Sequence, residues 1–188
     1  MPEDTPPRWD RSMRQRLARG EAAALGELYD RFASLVHNTA RRVLADQQAA
    51  DQVTREVFGY VWENPDAYDP RVEGSLRAWI ARLARRQSVY RLRQSGARAI
   101  AEGGEGSAEE LERRVWRASV AARADYIVTA MPAPLRTALE LAYLQRRDYR
   151  QTAAHLGVTE DEARRRLRLG LQLLATAHTR PPDGSSPG

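Results

Sequence analysis

All 30 basic residues of this sequence are arginine, and many of them cluster in two stretches. The planar guanidinium donates paired hydrogen bonds to phosphate oxygens and stacks on bases, which an ammonium group cannot do. Between Arg71 and Arg98 there are eight arginines and one acid, a net charge of +7 over 28 residues. Four more arginines lie close together near the C-terminus: Arg164, Arg165, Arg166 and Arg168. In a chain of net charge +5, both stretches predict a polyanionic partner, and nucleic acid is the natural candidate.

The first stretch also carries aromatic residues, a composition suited to single-stranded nucleic acid. Trp79 and Tyr90 are interleaved with its arginines, so one helix could hold a phosphate backbone and stack on bases. The preceding segment has the opposite charge, because from Asp46 to Asp69 there are six acids and one base, Arg55. The alternative stays open that the charges form a solvated face and that Trp79 belongs to a core.

Residues 149–167, YRQTAAHLGVTEDEARRRL, have the spacing of a helix-turn-helix. Small residues occur where two helices must approach, a glycine occurs where the turn needs a positive φ, and a threonine can cap the second helix. These positions are Ala153, Ala163, Gly157 and Thr159, with Val158 at the elbow. The second helix would present its arginines to a major groove. An ordinary helical hairpin with a solvated arginine face is the alternative.

Apolar residues recur with a helical period and predict the elements that hold these groups. One long helix is predicted over residues 25–44 and a second over 53–62, ending at Asn64-Pro65. Turn-forming residues over 64–75 precede a third helix, for which Ser75 is the potential cap. Further helices are predicted over 111–131, from about residue 134, over 149–156 and over 160–176. The sequence contains no alternating pattern of useful length, so the predicted fold class is all-α.

A shift in composition divides the chain into two small helical domains. Residues 96–110 are rich in glycine, alanine and acids, which bury too little apolar surface to offset the entropy of ordering, so they are predicted to form a flexible linker. The predicted divisions are a polar N-terminal segment 1–20, a domain 21–95, the linker 96–110, a domain 111–177 and a disordered tail 178–188.

The composition excludes several classes of function. Of the 188 residues, 42% are apolar and 29% are charged, and no apolar run is long enough to span a membrane. The absence of cysteine removes disulfides, thiolate metal sites and thiol nucleophiles. The three histidines are scattered and the sequence has no phosphate-binding loop, so we predict no enzyme activity, no catalytic residues, no metal site and no cofactor. The N-terminus lacks the apolar stretch of a signal peptide, so a cytoplasmic protein is expected.

Four segments, in a fixed order, resemble the group IV, extracytoplasmic-function bacterial sigma factors. Region 2 of that family resembles residues 25–93, with the segments LGELYDRFASLVHNTARRVL, DQVTREVFGYVW and GSLRAWIARLARR. Region 4 resembles residues 126–175, with the segment MPAPLRTALELAYLQRRDYRQTAAHLGVTEDEARRRL. The resemblance covers about 120 of the 188 residues.

The resemblance implies a sigma subunit with a region 2 helical bundle and a region 4 helix-turn-helix. It implies that the acidic second helix binds core RNA polymerase through Asp51, Gln52, Arg55 and Glu56. The loop over 64–75 and the basic helix would melt the −10 element and hold its single strand, with one base flipped out near the loop. The residues implied there are Tyr68, Arg71, Arg77, Trp79, Arg82, Arg85 and Arg86. Region 4 would recognise the −35 element through Thr159, Glu162, Arg164, Arg165, Arg166 and Arg168.

The sequence departs from the family pattern in both regions. Residues 52–56 read Gln-Val-Thr-Arg-Glu where the family usually has Asp-Leu-Val-Gln-Glu, Arg86 replaces an asparagine, and Leu169 and Leu171 replace basic residues. The expected partners are core RNA polymerase, promoter DNA and an anti-sigma protein, without membrane insertion or a small-molecule substrate, at the bacterial nucleoid. Two alternatives stay open: a stand-alone helix-turn-helix regulator, and a sigma-like adaptor that binds proteins without melting promoters.

Overall fold

The computed structural model describes residues 8–179, which form helices and connecting turns with no strand among them. The chain divides into two compact units between Ala122 and Arg123. The all-α fold class predicted from the sequence is confirmed. Within the same residues, no helix is long and apolar enough to cross a membrane.

Long helices build the first unit, and α2 contacts both α3 and α5. A short 3₁₀ turn, Pro65–Ala67, lies between α3 and α4. The helices are α1 (Arg8–Ala18), α2 (Ala22–Leu44), α3 (Gln47–Glu63), α4 (Pro70–Glu73), α5 (Leu76–Ala101) and the first part of α6 (Ala108–Ala130).

Capping residues and a proline explain where α3 and α5 begin and end. Asp46 accepts a hydrogen bond from the Ala49 N–H at 2.6 Å at the start of α3, and Ser75 accepts one from the Ala78 N–H at 3.2 Å at the start of α5. Each bond satisfies a backbone donor that has no partner within the helix. α3 ends just before Pro65, because proline has no N–H with which to continue the helix.

The core of the first unit is formed by the apolar faces of α2, α3 and α5. Each helix contributes side chains at spacings of three and four residues, as the sequence predicts. Burial of each larger side chain contributes about 1.5–3 kcal/mol. The central members are Leu28, Phe32 and Val36 from α2, Val53, Val57 and Val61 from α3, and Leu76, Ile80 and Leu83 from α5.

Helix α1 lies within residues 1–20, which the sequence analysis treats only as a polar segment. Met13 and Leu17 are one helical turn apart and are buried in the core of the first unit. Asp10 is buried as well. The helix has only eleven residues and is rich in arginine, so its apolar positions give little periodic signal. Residues 1–7 lie outside the described part of the chain.

The non-helical connection between α5 and α6 is residues 102–107, which is shorter than the predicted linker 96–110. The two helices approach closely at one point, where a Cβ at Gly96 would clash with the side chain of Leu111. Leu92 and Leu111 share a small apolar cluster, and Arg93 pairs with Glu112 at 2.8 Å. A glycine that suggests flexibility in the sequence therefore permits close helix packing in the structure.

The second unit contains the end of α6 followed by α7 (Ala133–Leu139), a π-helical turn (Glu140–Leu144), α8 (Tyr149–Leu156) and α9 (Glu160–Ala175). A 3₁₀ turn, Thr176–His178, follows α9. Of the predicted tail 178–188, residues 180–188 lie outside the described residues. α7 and α9 approach closely at Gly170, where a Cβ would lie 2.8 Å from Leu139 Cδ1.

Thr152 on α8 is fully buried, and its hydroxyl has no hydrogen-bond partner. Thr152→Val keeps the branched shape and removes this polar group, so we expect it to stabilise the second unit by about 1 kcal/mol. Thr54→Val is the matched control, because the buried Thr54 hydroxyl donates to the Ala50 carbonyl at 2.8 Å. Calorimetry should show a higher Tm for Thr152→Val than for Thr54→Val. The reverse order would contradict the assignment of an unpaired hydroxyl.

Candidate nucleic-acid interface

The loop between α3 and α5 is held by local hydrogen bonds and one special backbone conformation. Asp69 accepts a hydrogen bond from the Arg71 N–H at 2.9 Å, which starts the short helix α4. Gly74 has φ 72° and ψ −137°, a conformation that a residue with a Cβ rarely adopts. The chain can therefore turn sharply from α4 into the start of α5.

Tyr68 is the central side chain beneath this loop and is 2% exposed. Its hydroxyl donates a hydrogen bond to the Gly74 carbonyl at 2.6 Å and lies 3.5 Å from Asp10 Oδ2. Its ring packs on Trp79, with the centroids 5.4 Å apart. Burial, together with the nearby Asp10 carboxylate, raises the pKa of Tyr68 to about 12, so the hydroxyl stays protonated as a donor at neutral pH.

Neither Tyr68 nor Trp79 presents its ring to solvent, and their contact with a single strand stays a prediction. Trp79 is 7% exposed and belongs to the same core as Tyr68. Both rings are buried because removing their large apolar area from water stabilises this small core. Tyr90 is the exposed aromatic residue of the basic stretch, and its hydroxyl accepts a hydrogen bond from Gln94 at 2.5 Å. Tyr68 and Trp79 support the loop from below.

The arginines predicted to contact DNA in the first unit differ in their exposure and in their hydrogen-bond partners. Arg71 and Arg86 are exposed. Arg82 is exposed but donates to the Glu73 carbonyl at 2.6 Å and also pairs with the Glu73 carboxylate. Arg77 and Arg85 are half-buried, and each interacts with other groups of the chain. The arginines best placed to meet an incoming phosphate are therefore Arg71 and Arg86.

The predicted polymerase-binding residues lie together on α3, and two of them contact the basic helix. Arg91 of α5 donates to Gln52 Oε1 at 2.8 Å and to Glu56 Oε1 at 2.5 Å. Asp51 pairs with His37 of α2, with Nε2 and Oδ1 2.9 Å apart, rather than with Arg55 as its spacing would allow. Arg55 is exposed, beside an open groove of about 550 Å³ between α2 and α3. This surface therefore carries a cation among groups that are already paired.

Helices α8 and α9 have the local geometry of a helix-turn-helix. Gly157 between them has φ 64°, and Thr159 accepts a hydrogen bond from the Glu162 N–H at 3.2 Å at the start of α9. Ala153 and Ala163 are 4% and 0% exposed, as expected for small residues where two helices approach. The roles that the sequence assigns to these positions agree with the geometry.

Three of the four arginines of α9 are paired with acids of the same helix, and the fourth, Arg168, is exposed. Glu162 accepts from Arg166 at 2.7 Å and lies 2.5 Å from Arg165. Arg164 lies 3.4 Å from Asp161 and stacks over Tyr149, 4.2 Å from the ring centroid. The hydrogen bond from Arg166 contributes most to lowering the pKa of Glu162, so this carboxylate is charged at neutral pH. Any phosphate group that binds these arginines would have to compete with these acids.

Several exposed apolar side chains were not singled out as site residues from the sequence. Val72, in α4, is 79% exposed beside the loop, and Leu144, the last residue of the π-helical turn, is 80% exposed. Leu169, Leu171 and Leu173 of α9 are between 40% and 44% exposed. A valine between turn-forming residues is a weak signal in the sequence, because loop position alone does not determine exposure.

The family model for sigma-70 region 2 matches residues 28–98, which include α3, the loop and most of α5. An extracytoplasmic-function RNA polymerase sigma factor SigK of Mycolicibacterium vanbaalenii is 29% identical over 175 residues, covering 88% of this chain and 86% of that protein. The SigK proteins of Mycobacterium sp. strain KMS and of Mycobacterium bovis are 27% and 28% identical, each covering 84–88% of both chains. Residues 28–98 therefore match sigma-70 region 2, and over most of its length the chain is similar to extracytoplasmic-function sigma factors.

Sigma-70 factors are transcription initiation factors that work with RNA polymerase and DNA. The matched residues 28–98 hold both the acidic α3 and the basic α5. The structure of CnrH in complex with the cytosolic domain of CnrY is 20% identical, covers 89% of this chain and 95% of that chain, and has a TM-score of 0.38.

Glu162→Gln should strengthen binding of this protein to duplex DNA of random sequence. The change removes one negative charge from α9 and releases Arg165 and Arg166 from their carboxylate partner. We expect roughly threefold tighter binding near 50 mM salt, with a smaller gain near 200 mM, by fluorescence anisotropy. Glu109→Gln is the matched control, because Glu109 pairs with Arg113 in the same i, i+4 geometry on α6. Equal effects of the two variants would contradict a role for α9 in DNA binding.

Proposed function

We propose that the protein directs core RNA polymerase to promoters, with the first unit melting the −10 element and the helix-turn-helix recognising the −35 element. The observation that carries this proposal is the exposed arginine surface beside the loop, within the residues that match sigma-70 region 2. The site of action is the bacterial nucleoid, in the cytoplasm. The similarity to SigK proteins covers more than four fifths of the chain and therefore includes both units. This supports a role for both units in the proposed function.

Melting of the −10 element requires groups that hold an unpaired strand. Arg71 and Arg86 supply charge, Tyr90 supplies an exposed aromatic face, and Val72 supplies an exposed apolar side chain at the loop. Flipping a base out of the duplex costs a few kcal/mol, and stacking on an aromatic ring returns about 1–3 kcal/mol per base. A base flipped out near the loop can therefore contact Arg71 and Val72. Tyr90 lies about 21 Å further along α5 and is available to stack on another base of the strand.

Recognition of the −35 element falls to α9 in this proposal. Arg168 is exposed, whereas Arg164, Arg165 and Arg166 must exchange their carboxylate partners for DNA. Because each phosphate contact adds about one unit to the slope of affinity against salt, we expect a shallow slope for this helix. Thr159 and Glu162 lie at the start of α9, the part that approaches base edges in this motif.

Polymerase binding is assigned to the exposed side of α3, around Arg55. Acids at 51 and 56 flank this cation, so the complementary polymerase surface has to match a mixed pattern of charge. We also propose an anti-sigma protein as a partner, and the exposed leucines of α9 are a suitable apolar contact. A sigma-like adaptor without promoter melting is the second candidate, because three of the four arginines of α9 are already paired with acids.

Run-off transcription tests the proposed function. Purified protein, core polymerase and fragments of the source genome should give discrete transcripts that core polymerase alone does not give. Replacing Arg71 and Arg86 together by alanine should lower transcript yield on the order of tenfold while preserving polymerase capture, because these side chains are expected to contact DNA. Replacing Arg113 and Arg114 of α6 by alanine is the control and should leave the yield unchanged.

Three other outcomes separate the alternatives. Polymerase capture without transcripts would favour the adaptor. Binding to DNA without polymerase capture would favour a stand-alone regulator. Equal loss of transcripts in both double variants would contradict a specific role for the loop and the basic helix.

A further inference from the structure

Helix α1 is anchored on α2 by polar and apolar contacts. Trp9 Nε1 donates to Glu27 at 2.7 Å, and Arg16 donates to the same carboxylate at 2.6 Å and to Glu21 at 3.0 Å. The side chain of Met13 is 1% exposed and lies in the core. These contacts hold α1 against the rest of the first unit along its whole length.

The opposite side of α1 contacts the loop and the first residue of the basic helix. Asp10 Oδ2 accepts a hydrogen bond at 2.8 Å from the N–H of Leu76, which is 66 residues away in the sequence. The same oxygen lies 3.5 Å from the Tyr68 hydroxyl, and Asp10 is 6% exposed. Arg14 lies 3.7 Å from Asp66 in the 3₁₀ turn. Helix α1 therefore contacts the chain between α3 and α5 at three positions: Asp66, Tyr68 and Leu76.

The Asp10 contact acts on the N-terminus of α5. Leu76 is the first residue of that helix, so its N–H has no partner within the helix. A carboxylate at this position satisfies the donor and is favoured by the helix dipole. The Ser75 hydroxyl accepts a hydrogen bond from the Ala78 N–H in the same turn, and the Tyr68 hydroxyl donates one to the Gly74 carbonyl. Asp10 on α1 thereby helps to fix the direction in which the chain passes from the loop into α5.

We propose that α1 is the element that positions the −10 loop, and that Asp10 is its principal positioning residue, acting through Leu76 and Tyr68. The inference rests on the proposed function, because it assigns α1 a part in promoter melting. Asp10 does not touch DNA in this account. It fixes the positions of the loop and of the start of α5, and so the positions of the exposed side chains that would contact the unpaired DNA strand.

The test compares Asp10→Ala with Asp46→Ala in the full chain. Each variant removes a carboxylate that accepts a hydrogen bond from a backbone N–H in the first turn of a helix, but Asp46 lies at the start of α3. Hydrogen exchange of the amides over 68–76 should accelerate about tenfold in Asp10→Ala and remain unchanged in Asp46→Ala. Both proteins are compared at the same interval below their Tm.

The second measurement is promoter opening by the holoenzyme. Permanganate oxidation of unpaired thymines detects the opening, at a promoter that run-off transcription has identified. Asp10→Ala should lower the open fraction about tenfold, with polymerase capture unchanged, and Asp46→Ala should match the wild type. Asp10→Asn retains an acceptor oxygen and should restore most of the opening. Tyr68→Phe keeps the ring on Trp79 but loses the bond to Gly74, and should show an intermediate loss even if Asp10→Ala does not fold.

Two results would overturn the inference while leaving the proposed function intact. One is unchanged exchange over 68–76 in Asp10→Ala, and the other is equal promoter opening in Asp10→Ala and Asp46→Ala. If the wild-type holoenzyme opens no promoter, the proposed function fails and the inference fails with it.

Discussion

The packing of α5 against α2 and α3 is the constraint on which the first unit depends. One face of α5 buries Leu76, Ile80 and Leu83, while the other carries exposed arginines. A helix with this much positive charge is held in place because its apolar face is buried and because Arg91 pairs with Gln52 and Glu56 of α3. The surface proposed to bind polymerase and the helix proposed to bind DNA are thus in direct contact. A displacement of α3 would therefore also displace α5.

Sequence periodicity predicts the helices of the core well, because each carries a long apolar stripe. It does not predict α1, whose Met13 and Leu17 stand among arginines. It also overestimates the length of the non-helical connection, because a glycine can allow flexibility or close packing. Only the position of Leu111 shows that Gly96 serves close packing. Tertiary contact decides such cases, and local composition does not contain it.

The candidate site was predictable in its elements but less so in its side chains. The helix-turn-helix follows from Gly157, Thr159 and the two small residues, whose roles are local. Trp79 illustrates the opposite case, because its type suits both a stacking surface and a core, and the structure buries it. The pairing of Glu162 with its neighbouring arginines follows from i, i+3 and i, i+4 spacing and could have been anticipated. The contact of Asp10 with Leu76 could not, since it joins residues distant in sequence.

Site-specific photo-crosslinking tests most directly the claim that the loop meets DNA while α3 meets polymerase. A benzoylphenylalanine probe would replace Val72 or Arg55, both of which are exposed. In the holoenzyme bound to a promoter with an unpaired −10 segment, the probe at 72 should crosslink to DNA and the probe at 55 to a polymerase subunit. Crosslinks from 72 to protein alone, or from 55 to DNA, would contradict the account.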